Sequence, residues 1–389
     1  MSDTQKHTKP NVPNLRFPGF DGEWERMKAS DLLEFFSTNS LSWEQLEFGG
    51  TGLLNLHYGL IHNGLPSQID INNSSLPAIK AGNEPRKITH CKEGDIAFAD
   101  ASEDTNDVGK VVEFVDCAGK NVVCGLHTIH GRDKLDITVP GFKGYAFSSR
   151  AFHDQIKRIA QGTKVFSISV GSFDEVCVGI PSKEEQKRIA GLLSLIDQRI
   201  AIQNKVIERY ESLIKALAFK VTGSSKPNKR LLDCVICSSS TLKESELTDN
   251  GIPAYGASGI SGYSEKAQCQ SDSILITKDG SGVGTKQFVH GAHSFVGTLC
   301  SLSAKDEIYL PYIYYALINM KFDAYKTGQA IPHIYFKDYG KEQLFCPSYP
   351  EQVERAQGLE FLDRKVFYER DIMSKFCKLR VSLLNQMFI

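Results

Sequence analysis

Six loop segments carry side chains whose hydrogen-bonding groups suit the edges of nucleic-acid bases. Arg and Lys can bind guanine, Asn and Gln can bind adenine, and Ser, Thr and His can reach several bases. Each segment alone also fits an ordinary solvated loop, but together they predict two polar surfaces for base recognition. The segments are NLHYGLIHNG, EPRKITH and HTIHGRDK before residue 135, and SSSTLK, YGASGISGY and KDGSGVGTK after residue 235.

Twelve residues are the candidate DNA contacts of these two surfaces, because each offers a donor, an acceptor or a stacking ring. They are Tyr58, His62, Asn63, Asn106, Arg132 and Lys134 in the first surface, and Tyr255, Ser258, Tyr263, Lys278, Ser281 and Lys286 in the second.

The sequence does not match the catalytic motifs that we compared with it. KDGSGVGTK fails the phosphate-loop pattern, because Lys286 follows Thr285 and precedes Gln287, and it is more typical of a β-hairpin turn. The sequence contains no G-x-S-x-G elbow, no H-E-x-x-H motif, and no Asn/Asp-Pro-Pro-aromatic tetrapeptide. These absences predict a binding protein with no catalytic residue.

Cysteine and histidine spacing gives little indication of a metal. The one C-x-x-C pair, Cys234 and Cys237, lies in LLDCVICSSS, which reads as an apolar strand or short helix, so buried reduced thiols are expected. HTIH offers two ring nitrogens, those of His127 and His130, but the sequence shows no third ligand. We therefore expect no metal site and structural or hydrogen-bonding roles for these histidines.

Bulk composition describes an ordinary globular protein with more than one core. The chain has 389 residues, of which 41% are hydrophobic and 23% charged, and this length suits two or three domains. The polar start, MSDTQKHTKPNVPN, lacks the apolar stretch of a secretory signal, so a cytoplasmic location is expected. A net charge of −1 argues against a chain that coats DNA unaided and favours help from partner subunits.

An internal repeat dominates the organisation of the chain. PSKEEQKRIAGLLSLIDQRI begins at Pro181, and PSYPEQVERAQGLEFLDRKV begins 166 positions later at Pro347. Ser182 suits a helix N-cap with Glu185 completing a capping box, and Gly223 suits the end of that helix. The segments that precede the two copies, residues 14–160 and 229–327, differ in length and sequence, with only a faint echo between GDIAFADASEDTNDVGK and SDSILITKDGSGVGTK.

Apolar residues in both copies alternate at spacings of three and four, which is typical of a coiled-coil seam. We expect the two helices to pair with each other, although each could instead pack only on its own domain. Gln203 and Glu369 occupy the same seam position, and Arg355 replaces Ile189, which predicts an irregular start to the second helix. The predicted interface is Leu193, Ile196, Ile200, Gln203, Ile207, Tyr210, Ile214, Leu217, Leu359, Leu362, Val366, Glu369, Met373, Phe376 and Leu383.

These patterns predict a mixed α+β fold with a pseudo-two-fold repeat. Two α/β domains rich in short strands are separated by two long helices that pair as an antiparallel coiled coil. The predicted segments are a polar tail at 1–13, variable domains at 14–160 and 229–327, a linker at 223–228, and repeats with long helices at 161–222 and 328–389.

The proline-headed helix starts, IPSKEEQKRIAGLLSLID and CPSYPEQVERAQGLEFLD, each follow a variable domain. In this arrangement the chain resembles, over almost its full length, the specificity subunit of type I restriction–modification systems. YGASGISGY followed by ILITKDGSGVGT is similar to one class of target-recognition domain in that family, with Ala257 and Ser258 where Gly and Asn are usual. LRFPGFDGEWERMKASDLLEF is similar to the usual start of the first such domain.

The resemblance implies a non-catalytic subunit in which each variable domain reads one half of a bipartite double-stranded DNA target. It implies that the paired helices set the gap and dock two adenine-methyltransferase subunits, and that motor-nuclease subunits join for restriction. AdoMet, ATP and Mg²⁺ would belong to those partners, with no cofactor in this chain. Two alternatives stay open: a methyltransferase–nuclease fragment that acts itself, and a coiled-coil scaffold that binds only protein.

Overall fold

The computed structural model describes residues 11–117, 119–223, 225–328 and 331–389, so most of the predicted polar tail lies outside it. Within these ranges no helix is long and apolar enough to cross a membrane. The chain divides into two compact units, each with one variable domain and parts of both long helices. Unit 1 is Met1–Ile202 with Ser374–Ile389, and unit 2 is Gln203–Met373.

Unit 1 consists of short strands and short helices, followed by the first half of a long helix. In chain order, its elements are β1 (Glu25–Lys28), α1 (Ala29–Leu32), β2 (Leu33–Phe36), β3 (Leu46–Glu47), β4 (Leu54–Leu56), α2 (Tyr58–His62), β5 (Gln68–Asp70), β6 (Ala78–Ile79), β7 (Ile96–Ala99), β8 (Ala101–Ser102), β9 (Val111–Asp116), β10 (Val122–Cys124), β11 (Thr128–Asp133), α3 (Phe142–Ser148), α4 (Arg150–Ile159), β12 (Phe166–Ser167), β13 (Cys177–Ile180) and α5 (Lys183–Thr222).

Two sheets form the body of unit 1, with strand orders β2-β11-β7-β9-β5 and β10-β4-β6-β3. Successive side chains of a strand point to opposite faces. On β7, Phe98 therefore packs with Phe147 and Phe152 of the helical face, while Ala97 and Ala99 belong to a second apolar cluster. The strand is buried on both faces, which explains why it reads as an uninterrupted apolar run.

Unit 2 follows the same plan with fewer elements. They are β14 (Lys229–Arg230), α6 (Leu231–Cys234), β15 (Val235–Ser239), β16 (Ile252–Gly256), β17 (Gly259–Ser264), β18 (Ser273–Thr277), β19 (Lys286–Val289), β20 (Ser294–Phe295), β21 (Leu299–Ala304), α7 (Leu310–Ile318), α8 (Phe336–Tyr339), β22 (Gln343–Leu344) and α9 (Tyr349–Gln386).

The variable domains share a strand order that their sequences hide. The main sheet of unit 2 runs β15-β21-β18-β19, which corresponds to β2-β11-β7-β9 of unit 1. The smaller sheets also correspond, since β16 pairs in parallel with β20 as β4 does with β10. The faint sequence echo therefore underestimates the repeat, because many different apolar side chains satisfy the same buried strand positions. The KDGSGVGTK segment joins β18 to β19 as the predicted hairpin.

In unit 1, the first half of α5 packs against the last turns of α9 in antiparallel orientation. Arg380 donates to the carboxylate of Asp197 at 2.5 Å, and the guanidinium of Arg199 lies 5.8 Å from the ring centre of Phe376. Leu193 and Leu383 share one apolar cluster with residues of the variable domain. This half of α5 therefore contacts both the other helix and its own domain.

In unit 2, the second half of α5 packs antiparallel against the first part of α9. The polar seam pair meets here, because the Gln203 amide donates to the carboxylate of Glu369. The expected irregularity at Arg355 is wrong, since α9 is continuous from Tyr349. The guanidinium of Arg355 folds back onto Glu351 at 2.7 Å and donates to the carbonyl of Val221 at 2.6 Å, so the charge is satisfied without breaking the helix.

The predicted seam residues are buried or half-buried in their units. The buried ones are Leu193, Ile196, Gln203, Ile207, Ile214, Leu359, Val366 and Leu383, and the half-buried ones are Ile200, Tyr210, Leu217, Leu362, Glu369, Met373 and Phe376.

Candidate nucleic-acid interface

A backbone corner lies in unit 1 where β7 ends and β11 begins. We define corner 1 as Asp100 and His127, which follow β7 and precede β11. The amide of Asp100 donates to the carbonyl of His127 at 3.1 Å, and the amide of Ile168 donates to the carbonyl of Asp100 at 2.9 Å. His127 adopts a left-handed conformation with φ of 53°, which turns its exposed ring toward the Asp100 carboxylate, 3.1 Å away. His127 and His130 therefore do not share a strand face.

An aromatic and imidazole cluster adjoins corner 1. The ring of Tyr58, the first residue of α2, lies 5.1 Å from His127, 4.7 Å from His57 and 5.7 Å from His62. The Trp43 ring extends the cluster, 4.2 Å from His57. The rings of Trp43 and His127 are exposed, those of Tyr58 and His62 are half-buried, and His57 is buried. The accessible rings can provide a stacking platform for nucleic-acid bases.

Local capping holds the cluster in place. His57 is the N-cap of α2, because its Nδ1 accepts from the amide of Gly59 at 3.1 Å. Burial, and secondarily the charge of His127, lower the pKa of His57, so its ring stays neutral at physiological pH. At the other end of α2, His62 Nε2 lies 2.9 Å from the carbonyl of Ala101, and Asn63 is exposed. The exposed side-chain amide of Asn63 suits hydrogen bonding to base edges.

Unit 2 contains the equivalent corner with other side chains. We define corner 2 as Lys278 and Thr298, which follow β18 and precede β21. The amide of Lys278 donates to the carbonyl of Thr298 at 2.9 Å, and the amide of Ile334 donates to the carbonyl of Lys278 at 2.9 Å. The exposed Ser281 lies in the adjoining hairpin loop, where Gly280 donates to the carbonyl of Pro332 at 2.9 Å.

A second hairpin of unit 2, β16 with β17, carries three further predicted contacts. Its turn exposes Ser258, and the side chain of Gln287 holds this turn by donating to the carbonyl of Gly256 at 2.8 Å. Tyr255 and Tyr263 are half-buried on the two strands. The hairpin therefore presents Ser258 to solvent and leaves each tyrosine only partly accessible.

Arg132 and Lys134 lie at the far end of β11 from corner 1. Arg132 holds the buried Asp95 through two bonds of 2.7 Å and lies 4.7 Å from the ring centre of Phe36. Burial disfavours the Asp95 carboxylate, yet the bonds from Arg132 and His130 outweigh this and lower its pKa. Lys134 donates to the carbonyl of Ser30 at 2.8 Å. These two cations are not brought together with Tyr58 and His62.

Two other predicted contacts have protein partners. Asn106 lies in the exposed β8–β9 connection, and its Oδ1 accepts from Lys157 at 2.8 Å. Lys286 turns inward, with Nζ 4.9 Å from the ring centre of Phe322 and 3.4 Å from the carbonyl of Ile318. Burial lowers the pKa of Lys286 to about 8, so this cation serves the interior of unit 2.

The sequence analysis left out several residues of the two corners and of the aromatic cluster beside corner 1. Trp43, His57, His127, Asp100 and Thr298 were not among the twelve predicted contacts. Trp43 was detectable, because a tryptophan beside polar turn residues outside any apolar run suggests an exposed ring. Its ring is indeed exposed, at 42%. Asp100 meets His127 because β7 and β11 are neighbours, and Lys278 meets Thr298 because β18 and β21 are neighbours, which only the sheet order reveals.

Comparison with known proteins supports the family resemblance. Residues 233–374 match the family described as "Type I restriction modification DNA specificity domain". This part of the chain is therefore similar to the DNA specificity domains of type I restriction-modification systems. A Mycoplasma pneumoniae protein named as a type I specificity subunit is 24% identical over 310 residues, covering 72% of this chain and 81% of the relative. The resemblance proposed from the helix starts is therefore confirmed.

Solved structures support the same fold for this chain. The S subunit of the type I restriction-modification system from M. genitalium covers 97% of this chain and 99% of its own, with a TM-score of 0.62 at 19% identity. A chain from a structure of type I R-M complex assembly covers 96% and 98%, with a TM-score of 0.51 at 15% identity. At these identities the likeness shows the fold, including the predicted mixed α+β class with its two long helices.

Proposed function

We propose that corner 1 and corner 2 each read one half of a bipartite, asymmetric DNA target. The observation that carries this proposal is that the two corners share one backbone geometry but have different side chains. Asp100 and His127 in unit 1 occupy the places of Lys278 and Thr298 in unit 2, held by equivalent hydrogen bonds. Base identity is read by side-chain donors and acceptors, so a shared scaffold with different side chains suits two different half-sites.

The corners offer complementary chemistry to DNA. In unit 1, the exposed rings of Trp43 and His127 and the half-buried rings of Tyr58 and His62 provide stacking surfaces, while Asp100 provides an acceptor that suits the amino group of cytosine or adenine. In unit 2, Lys278 provides a cation for a phosphate or guanine, and Ser258, Ser281 and Thr298 provide hydroxyls. We infer that these residues contact the target, together with the other predicted residues that face solvent.

The two helix starts provide equivalent docking sites for two adenine-methyltransferase subunits. Gln186 in unit 1 accepts from the amide of Val139 at 2.9 Å and donates to the carbonyl of Pro181 at 2.9 Å. Gln352 in unit 2 accepts from Tyr309 and donates to Pro347 at the same two distances. Repeated surfaces in one chain supply a dimer's two-fold relation to two identical partners.

In this proposal the chain itself binds and orients but performs no chemistry. AdoMet supplies the methyl group and would be bound by the methyltransferase subunits, whereas ATP and Mg²⁺ would serve the motor-nuclease subunits. The residues of this chain position a target adenine within reach of each methyltransferase. The near-neutral charge of −1 fits a subunit whose partners contribute phosphate contacts.

A methylome tests the proposal directly. The chain would be co-expressed with its cognate methyltransferase subunit in a host without DNA methylation, and N6-methyladenine would be mapped by long-read sequencing. The expected result is a split motif, with two specified blocks around a fixed unspecified gap. The matched control omits this chain. Methylation in that control, or a continuous motif, would contradict the proposal, and AdoMet binding by the chain alone would favour an enzymatic role.

A further inference from the structure

Two cysteines and a histidine from separate parts of unit 1 meet in its interior. Cys124 is the last residue of β10, His130 lies in β11, and the amide of Cys91 donates to the carbonyl of Val122 at 2.8 Å. All three side chains are buried. The two Sγ atoms and a ring nitrogen of His130 lie within 4.8 Å of one another. The spacing along the chain gives no hint of this meeting, which explains why the sequence predicts no metal.

The distances suit a tetrahedral metal ion. The Sγ atoms of Cys91 and Cys124 are 3.5 Å apart. In a tetrahedral zinc site with Zn–S bonds of about 2.3 Å, two sulfur ligands are separated by roughly 3.8 Å. A disulfide instead requires the two sulfur atoms to approach to about 2.05 Å. The sulfur separation is therefore close to that of a shared metal and far from that of a covalent bond.

The contacts of His130 orient its ring in the way that is usual for a metal-binding histidine. Its Nε2 lies 2.8 Å from the carboxylate of Asp95, which is itself held by Arg132. Its Nδ1 is buried and has no hydrogen-bond partner among the described residues. A carboxylate on one ring nitrogen fixes the tautomer and orients the other nitrogen toward a metal. A fully buried imidazole nitrogen without a partner is costly unless a ligand satisfies it.

We propose that Cys91, Cys124 and His130 bind a thiophilic divalent cation of the zinc class. Binding deprotonates the two thiols and releases their protons to solvent, so two thiolates and a neutral imidazole balance the charge of the ion. Cys117 lies beside this group, with its thiol donating to the carbonyl of Cys91 at 3.6 Å.

The site would connect the two sheets of unit 1 beside corner 1. β10 belongs to the four-stranded sheet and β11 to the five-stranded sheet. Cys124 and His130 flank the loop that carries His127, and this loop approaches Asn55 so closely that a Cβ on Gly125 would lie 2.4 Å from its Nδ2. The ion would brace this loop. Metal binding stands independently of the proposed DNA contacts, and only the effect on DNA recognition rests on them.

Metal analysis of the full chain tests the site. The chain would be purified without a metal-binding tag and dialysed, and its metal content would be measured by mass spectrometry. We expect about one zinc ion per chain in a site of this ligand set. The double variant Cys91→Ala/Cys124→Ala should lose the ion, while the control Cys377→Ala, which changes an exposed cysteine, should keep it. Absence of metal from the natural chain, or its retention by the double variant, overturns the proposal.

A second measurement uses the unaltered chain, in case the double variant fails to fold. Refolding or exchange with Co²⁺ should produce thiolate-to-cobalt charge-transfer absorption and the visible bands of a tetrahedral site. Stepwise modification with a mercurial should release zinc in proportion to the loss of these thiols. Intact mass spectrometry gives the opposing outcome: a Cys91–Cys124 disulfide in freshly purified protein, with no metal, would overturn the assignment.

Discussion

Corner 1 and corner 2 have the same backbone hydrogen bonds and opposite electrostatic character. Corner 1 pairs a carboxylate with an imidazole, whereas corner 2 has an ammonium group and a hydroxyl. The strand order behind them is the same in both units. Buried strands are constrained by packing, whereas side chains at the exposed ends of strands have no packing partner to satisfy. The comparison shows that the same scaffold can carry corner side chains of different chemistry.

The starts of α5 and α9 differ in the opposite way. A glutamate occupies the equivalent position in both helices, but its ionic partner is different. Glu185 in unit 1 is almost fully buried and forms a bidentate pair with Arg16 at 2.7 and 2.8 Å. Glu351 in unit 2 is partly exposed and pairs with Arg355 of its own helix at 2.7 Å. The predicted capping role of Glu185 is thus replaced by an ion pair with the N-terminal segment.

The largest expected effect comes from exchanging one variable domain. Replacing residues 14–160 by the corresponding segment of another type I specificity subunit should change one half of the methylated motif completely. The other half and the gap should persist, because unit 2 and the helices are unaltered. Long-read methylome sequencing of both proteins measures this. A motif in which both halves change, or neither changes, would show that the two units do not read DNA independently.

Removing the cation beside Glu185 should have the largest effect on stability. Arg16→Ala leaves a buried carboxylate unpaired, which costs about 3–5 kcal/mol in comparable buried pairs. The matched change Glu351→Ala removes a partly exposed partner and should cost about 0.5 kcal/mol, as for exposed helix pairs. Amide hydrogen exchange of the two helix starts measures both effects. An equal loss of amide protection in the two variants would contradict the expected difference in stability between the two helix starts.

A smaller difference is expected at the tyrosine–aspartate pairs. Tyr145 donates to Asp197 at 2.9 Å, and Tyr315 donates to Asp363 at 2.6 Å, but only in unit 1 does an arginine, Arg380, also bind the carboxylate directly. Asp197→Asn should therefore destabilise its helix contacts by about 1.5–3 kcal/mol, the scale of a charged hydrogen bond. Asp363→Asn keeps an acceptor for Tyr315 and should be close to neutral.

The Tyr315–Asp363 pair predicts that the stability of the folded chain depends on pH. Burial raises the pKa of Asp363, so the folded state binds its proton more tightly than the unfolded state. Stability from this group is therefore present at low pH and is lost as pH rises through the folded pKa. Urea unfolding of the full chain between the ordinary aspartate pKa and neutrality should show this decline, and Asp363→Asn should flatten it. A steeper decline in the variant would refute the assignment.

The smallest expected effect is on the salt dependence of DNA binding. If Lys278 binds a phosphate, Lys278→Ala should reduce the slope of log affinity against log salt by about 0.9, the value of one phosphate contact. Lys286→Ala is the matched control, because its ammonium group faces the Phe322 ring and should not change the slope. Fluorescence anisotropy with the assembled methyltransferase complex measures both. A larger change with Lys286→Ala would reverse the roles given to these lysines.

Much of the fold was predictable because it depends on local pattern. Apolar spacing predicted both long helices, Ser182 and Gly223 predicted the limits of α5, and glycine-rich KDGSGVGTK predicted the β18–β19 hairpin. LLDCVICSSS contains both the short helix and the strand that its composition suggested. The family resemblance followed from the repeated proline-headed helix starts, whose residues are adjacent in sequence.

The sequence by itself determined the paired helices, the repeat and the loops that carry polar side chains, because periodicity and turn residues act over short distances. Only the tertiary structure decided that Arg132 and Lys286 face protein partners, and that the Arg355 charge is satisfied by Glu351 and Val221. It also decided that Cys91, Cys124 and His130 meet. The direction of a side chain depends on residues brought near by the sheet order, and pairing between distant strands is not encoded in local spacing.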